Sequence, residues 1–414
     1  LKKLKPLQVK KPPFKEIPDV NKPSRFRPDP PHAVAYWVKP QVVCEVSFAE
    51  MTSDGVMRHP SFEGLRVDKD PGQVIKEKAK RTNAVVGRKN SVVKKEIIKK
   101  PGAAARKTLL NPHDETQVRK VNGHELKFTN LSKLYWPDDK ISKRDMINYY
   151  YQVAPFILPY LKDRPQSMNR HPDGIKGESF YFKDVTGKAP GWIETYQYKS
   201  DADNRTRNYL VAKDDASLLF MASLGCIEMN PWHSKATREN YPDWCIIDID
   251  PDKNTFEQVI QAAQVTKNVL ENFGVVSYPK TSGSTGMHIY IPLGAKYTYE
   301  QSKEFARVIA RLVHEQIPKF TSIERAVKDR KGKMYIDFLQ NRPQATVSAP
   351  YSLRPKPGAT VSMPLHWDEV KKGLKMKDFT IFNAIERVQQ LGDIFKPVLG
   401  KGINLASVIK QFEK

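Results

Sequence analysis

The sequence predicts an α/β (α+β) chain preceded by a small all-β segment, and three observations carry that prediction. Between residues 244 and 340, β-branched and aromatic runs alternate with two stretches of 3.6-residue periodicity, in the order strand, helix, strand, strand, helix, strand. The first 70 residues hold only short strand-like runs broken by turn residues. A basic, aromatic-poor stretch lies between the two regions.

Residues 1–70 open with a Lys/Pro-rich arm. Val42-Val43-Cys44-Glu45-Val46-Ser47-Phe48 then reads as a strand and Ser53-Asp54-Gly55 as a turn, enough for a small β module. From Pro71 to Lys120 there are 14 Lys/Arg against four Asp/Glu. Such a stretch buries too little apolar surface to order itself, so residues 71–111 read as a basic flexible linker, either a solvated tether or a DNA-binding one. Residues 112–414 read as globular. Within them Trp244–Asp250 is a strand ended by Pro251, and 254–273 is a helix stopped at Gly274. A strand is expected at 275–278, another at 287–293, a helix at 299–316, and a last strand at 333–340. No internal repeat is evident.

A chain of 414 residues exceeds one ordinary core. Its net charge of +23 calls for a polyanionic partner. With no bilayer-length apolar run, nucleic acid is favoured over a membrane. Cys44, Cys226 and Cys245 lack C-x-x-C spacing, so neither a disulfide framework nor a zinc site is indicated, which suits a reducing cytoplasm. Opening on Leu1, the chain is expected to be a piece of something longer.

Chemistry is concentrated in a few places. Asp248 and Asp250, spaced i, i+2 on a strand, leave one face of its end. They read either as paired oxygen ligands for a divalent cation or as turn and cap formers. Asp337 adds a third acid on another strand, enough for two cations about 3.5–4 Å apart as in nucleotidyl transfer, unless the three are unrelated surface acids. The loop Ser282-Gly283-Ser284-Thr285-Gly286 before His288 suits a phosphate cradle or a plain hairpin turn, and it is not a P-loop. His288 and Tyr290 share a strand face. Arg342 and Arg354 read as phosphate contacts or as ordinary surface charges. Lys133, Lys140, Lys143 and Arg144 surround Tyr135 and Trp136, which suits a nucleic-acid end or a solvated helix start.

The ordered set Asp248-Ile249-Asp250-Pro251, Thr281-Ser282-Gly283-Ser284-Thr285-Gly286-Met287-His288, Ile336-Asp337-Phe338-Leu339-Gln340-Asn341 and Ala349-Pro350-Tyr351-Ser352-Leu353-Arg354 resembles the primase-polymerase domain of bacterial DNA ligase D over about residues 112–412. The resemblance implies an archaeo-eukaryotic primase-type fold working with Mn2+ or Mg2+ on NTP or dNTP. It makes Asp248, Asp250 and Asp337 the metal-binding catalytic acids. Ser282, Thr285, His288, Gln340, Arg354 and Asn230 become nucleotide contacts. Relatives often carry Lys at the place of Thr285 and His at the place of Asn230. Asn130, Lys133 and Lys143 match the pattern that grips a 5′-phosphate, and Tyr181 and Phe182 the aromatic pair on template or nucleotide.

Residues 1–70 resemble the end of an ATP-dependent ligase OB domain, with Arg58, Arg66 and Lys69 in the last ligase motif, which orients ATP. No K-x-D-G segment occurs, so the ligase core is missing from this chain and ligation by it alone is not expected. The resemblance implies a cytoplasmic, nucleoid-associated polymerase that extends or fills DNA break ends in non-homologous end joining, with bacterial Ku as partner and no membrane. The rival reading is a non-catalytic DNA-end-binding module that tethers a ligase to breaks.

Overall fold

The computed structural model describes residues 4–13, 34–47, 50–51, 57–58, 61–66, 106–199 and 204–412. The chain divides into two units, Leu1–Ile98 and Lys99–Lys414. In the first, Val43–Ser47 pairs antiparallel with Ser61–Arg66, Glu50–Met51 with Met57–Arg58, and Gln8–Val9 with Trp37–Val38. These are short two-stranded pairs, with no closed barrel among the described residues. Arg58 and Arg66 sit on these strands; Lys69 and the turn at 53–55 lie outside the described residues. The stretch expected as linker over 71–111 is described only from Arg106. There it already belongs to the second unit: Arg106 pairs with Asp215, and Leu110 is buried with its amide on the Asn148 side chain.

The second unit is built on a five-stranded sheet. Numbered along the chain, its elements are β1 (Trp244–Asp250), α1 (Phe256–Asn272), β2 (Tyr278–Thr281), β3 (Met287–Pro292), α2 (Tyr299–Gln316), β4 (Thr321–Ser322) and β5 (Met334–Asp337). The strand order is β2-β3-β1-β5-β4, antiparallel except for the β4–β5 pair. Thr255 caps α1 in a reciprocal box with Gln258, and Thr298 does the same for α2 with Gln301. Both helices bury their apolar stripes (Val259, Ala263, Val269, Leu270; Phe305, Ile309, Val313) against one face of the sheet. Cys245 belongs to that face, its Sγ 3.7 Å from Ser302 O of α2. Alternation then sends Trp244, Ile246, Asp248 and Asp250 to the opposite face.

Two strands differ from expectation, each for a local reason. The strand predicted at 275–278 runs from Tyr278 to Thr281. Gly274, at φ +65°, and the Val275 amide on Leu270 O are still closing the end of α1, so pairing starts three residues later. The strand predicted to residue 340 stops at Asp337, because the Asp337 carboxylate accepts the Leu339 amide at 2.7 Å and turns the chain. Asn341 then continues the ladder with its side chain: it accepts from the Ile246 amide at 2.8 Å and donates to the Ile246 carbonyl at 2.7 Å.

Candidate active site

The sheet register lines up four chemically active residues. Lys280 on β2 is opposite His288 on β3, His288 is opposite Asp248 on β1, and Asp248 is opposite Asp337 on β5. Residues opposite one another share a face. The row therefore crosses four strands on the side away from the helices, with Asp250 two residues along β1 and opposite Tyr335. The three acids expected to act together are neighbours on one surface.

Their electrostatics are those of crowded anions. Burial first, then Asp337 and Asp250, push the Asp248 carboxyl well above the ordinary range. Burial also raises Asp250 and Asp337. Asp337 is steadied by the Leu339 amide and, at 3.2 Å, by Gln340 Nε2, so Gln340 serves this carboxylate directly. Arg330, stacked 4.0 Å over the Tyr335 ring, reaches to 3.8 Å from Asp250, whose side chain is the exposed member of the three. Among the described residues no group of three or more acid, His or Cys side chains is drawn together closely enough to hold a metal ion as placed. The donor set nevertheless fits a hard divalent cation: three carboxylates on one face, destabilised by their own proximity, with Asp250 on the accessible end. Asp248, Asp250 and Asp337 are the residues that would hold it.

The Ser/Gly loop lies beside this row and is built internally. The Ser282 hydroxyl accepts the amides of Ser284 at 3.1 Å and Gly286 at 3.0 Å. Gly283 adopts φ +69°, and a Cβ there would meet Arg354 Cγ at 2.7 Å and Ser362 N at 2.8 Å. Thr285 is the exposed residue at the tip. Arg354 donates to Ser282 O and pairs at 2.8 Å with the buried Glu228. Asn230 donates to the other Glu228 oxygen at 3.2 Å. Glu228, not anticipated from the sequence, thus joins Asn230, Arg354 and Ser282 into one polar network.

The aromatic pair splits. Phe180–Phe182 pairs with Met168–Arg170, which pairs with Cys226–Glu228; the register aligns Tyr181, Asn169 and Glu228 on one face. Tyr181 is 61% exposed there, while Phe182 is buried beneath Arg170 and Lys188. Of the expected pair only Tyr181 exposes its ring, so Phe182 is not free to pack on template or nucleotide. Asn130, Lys133 and Lys143 do come together. Asn130, at φ +57°, accepts the Lys133 amide, and Lys133 O accepts the amide of Lys143, the first residue of helix Lys143–Leu161. Lys133 Nζ lies 2.6 Å from Asp173. Arg342 is exposed, and its carbonyl accepts the Ala345 amide.

Lys280 and Arg330 were also unforeseen. Lys280 is wholly buried, with its Nζ 2.8 Å from His288 Nδ1 and a second contact to Ser362 Oγ. A lysine beside a polar loop reads as solvated, and nothing in the one-dimensional pattern marks it otherwise.

Known proteins resemble both regions of this chain. Residues 142–395 match the family described as LigD, primase-polymerase domain, and residues 1–69 match the ATP dependent DNA ligase C terminal region. The bifunctional non-homologous end joining protein LigD of Bacillus subtilis is 34% identical over 271 residues, 65% of this chain and 43% of that protein. The multifunctional LigD of Pseudomonas aeruginosa is 27% identical over 391 residues, 94% of this chain and 42% of that protein. The chain thus spans less than half the length of either relative. The polymerase domain from Mycobacterium tuberculosis Ligase D, solved in complex with DNA, superposes with a TM-score of 0.62 at 24% identity, covering 67% of this chain and 99% of that one. Among the described residues no helix is long and apolar enough to cross a membrane. With the fold shared and the family pattern matched across most of the second unit, the chain belongs to the LigD primase-polymerase family and carries a ligase C-terminal region ahead of that domain.

Proposed function

We propose that the chain is a metal-dependent nucleotidyltransferase that adds ribo- or deoxynucleotides to a DNA 3′-hydroxyl, filling or extending break ends in non-homologous end joining. The observation that carries this is the in-register pair Asp248–Asp337 with Asp250 beside it, three like charges on one face with no structural use for one another. Mn2+ or Mg2+ held there supplies Lewis-acid activation of the 3′-hydroxyl and neutralises the triphosphate. Arg354, Ser282 and His288 orient the phosphates, with Thr285 and Gln340 at the rim and Asn230 holding Glu228 against Arg354. Tyr181 supports a base. Asn130, Lys133 and Lys143 take the 5′-phosphate of a gap, and bacterial Ku is the proposed protein partner at the break. Ligation, with its ATP, is assigned to a lysine-bearing core that this sequence does not contain. The site of action is the nucleoid.

The deciding experiment is primer extension on gapped, 5′-phosphorylated duplex with Mn2+, wild type against Asp248→Ala. Extension is expected to require the metal and to vanish in the variant. If extension survives the substitution, the assigned site is wrong; if neither protein extends but both bind DNA ends, the chain is a tethering module.

A further inference from the structure

We propose that Lys280 is a positioning residue that fixes His288 in the tautomer bearing its hydrogen on Nε2, so that the ring donates toward the carboxylate row and the nucleotide phosphates. This deepens the proposed function and rests on it only for its catalytic consequence. The assignment follows from tracing donors. Ser362 Oγ spends its hydrogen on Thr281 O at 2.9 Å, so it faces Lys280 as an acceptor. Lys280 Nζ therefore donates to Ser362 and has further N–H groups for His288 Nδ1, 2.8 Å away. A ring nitrogen that accepts a hydrogen bond carries no hydrogen of its own, which leaves the imidazole hydrogen on Nε2. That nitrogen lies 3.4 Å from Asp248 Oδ1.

The surroundings leave Lys280 no other task. It is 0% exposed, and its third side lies 5.7 Å from the centre of the Tyr290 ring; burial and Arg354 draw its pKa well down while Asp248 favours its charge, and even the neutral amine keeps one N–H for Ser362 and one for His288. The chain instead diverges at Lys280: one arm runs through Ser362 Oγ to Thr281 O, and the other through His288 Nδ1, leaving Nε2–H to face Asp248.

Histidine-labelled 15N NMR of the intact chain tests this, with the His288 signal assigned by its loss in His288→Asn. Wild type is expected to show the Nε2–H coupling pattern. Lys280→Met, of similar length but without a donor, is expected to give mixed or Nδ1–H signals and to raise the nucleotide KM about tenfold, the scale of one misdirected hydrogen bond to a charged group, with a smaller change in kcat. A wild-type His288 protonated on Nδ1 overturns the proposal, and this needs no variant. An unchanged tautomer in a folded Lys280→Met protein overturns it as well. If the wild type extends no primer, the polymerase reading fails while the tautomer result stands on its own.

Discussion

Gly286 and Ile249 touch through their backbones: a Cβ on Gly286 would lie 2.0 Å from the Ile249 carbonyl oxygen and 3.1 Å from Pro251 Cδ. The glycine is there for space, and the space it gives up is occupied by the peptide between Asp248 and Asp250. The hinge of the Ser/Gly loop therefore rests on the strand end that presents the acids. Gly286→Ala must push one of them away. It is expected to cost about 1–3 kcal/mol of stability, the usual range for overpacking, and to lower extension more than DNA binding. Chemical denaturation and gap-filling rates on the same preparation check both. A variant with normal rates would show that the contact does not position the acids.

Lys133 is held by Asp173 at 2.6 Å, both side chains about one-fifth exposed. Lys133→Ala is expected to reduce the preference for 5′-phosphorylated over unphosphorylated gaps. Asp173→Asn frees the ammonium and is expected to raise that preference, by about fivefold, on the order of 1 kcal/mol for one phosphate contact. Binding isotherms on the two gap types at fixed salt decide it. Equal use of both ends by wild type and Lys133→Ala removes Lys133 from the phosphate site.

Without metal, the acid row is a source of instability, and the sign can be worked out. The folded chain holds Asp248 above the ordinary carboxylate range, so the unfolded chain ionises first as pH rises. The cost grows from about pH 4 upward, near the unperturbed Asp value, and is complete above the folded pKa. Asp248→Asn is thus expected to raise Tm at pH 7 and to have little effect at pH 4. Added Mn2+ is expected to raise the Tm of wild type at pH 7 and not that of the variant. Thermal melts at the two pH values, with and without Mn2+, test this; a destabilised Asn variant at pH 7 sinks it.

Arg354 has two partners whose loss is separable. Its ion pair with Glu228, 18% and 8% exposed, is buried, so Arg354→Ala strands a carboxylate at a cost of about 3–5 kcal/mol. Adding Glu228→Gln removes that charge and is expected to restore much of the stability. Nucleotide KM, which depends on the guanidinium at the Ser282 loop, is expected to stay high in both. A double-mutant cycle reading stability and KM side by side checks the split. Recovery of KM together with stability would make Arg354 structural only.

How much of this was legible follows from how far apart the partners lie in sequence. Helix α2 spans the residues the periodicity predicts, and β1 ends at Asp250 before Pro251, because capping, periodicity and proline act within a few residues. Strand ends at 278 and 337 were misplaced because the deciding hydrogen bonds belong to a helix cap and an aspartate turn. The three acids and His288 are singled out by their spacing and their resemblance to a known pattern, and the sheet register sets His288, Asp248 and Asp337 in one row with Asp250 beside it. Glu228 was not, since its meaning comes from Arg354, 126 positions later, the difference of the two residue numbers. Lys280 was missed for a different reason. Its partner is only eight residues away, but its total burial is created by the segment carrying Ser362.

The row Lys280–His288–Asp248–Asp337 also has a consequence for how the protein comes into being. Its members arrive from four strands, and the last is synthesised 89 residues after the first acid, the interval from Asp248 to Asp337. Pairings of that separation form late, after loop closure has been overcome. A nascent chain that has not yet made β5 still lacks Asp337, the acid opposite Asp248. If the acid row holds a cation as proposed, metal affinity in this domain would report completed folding of the sheet.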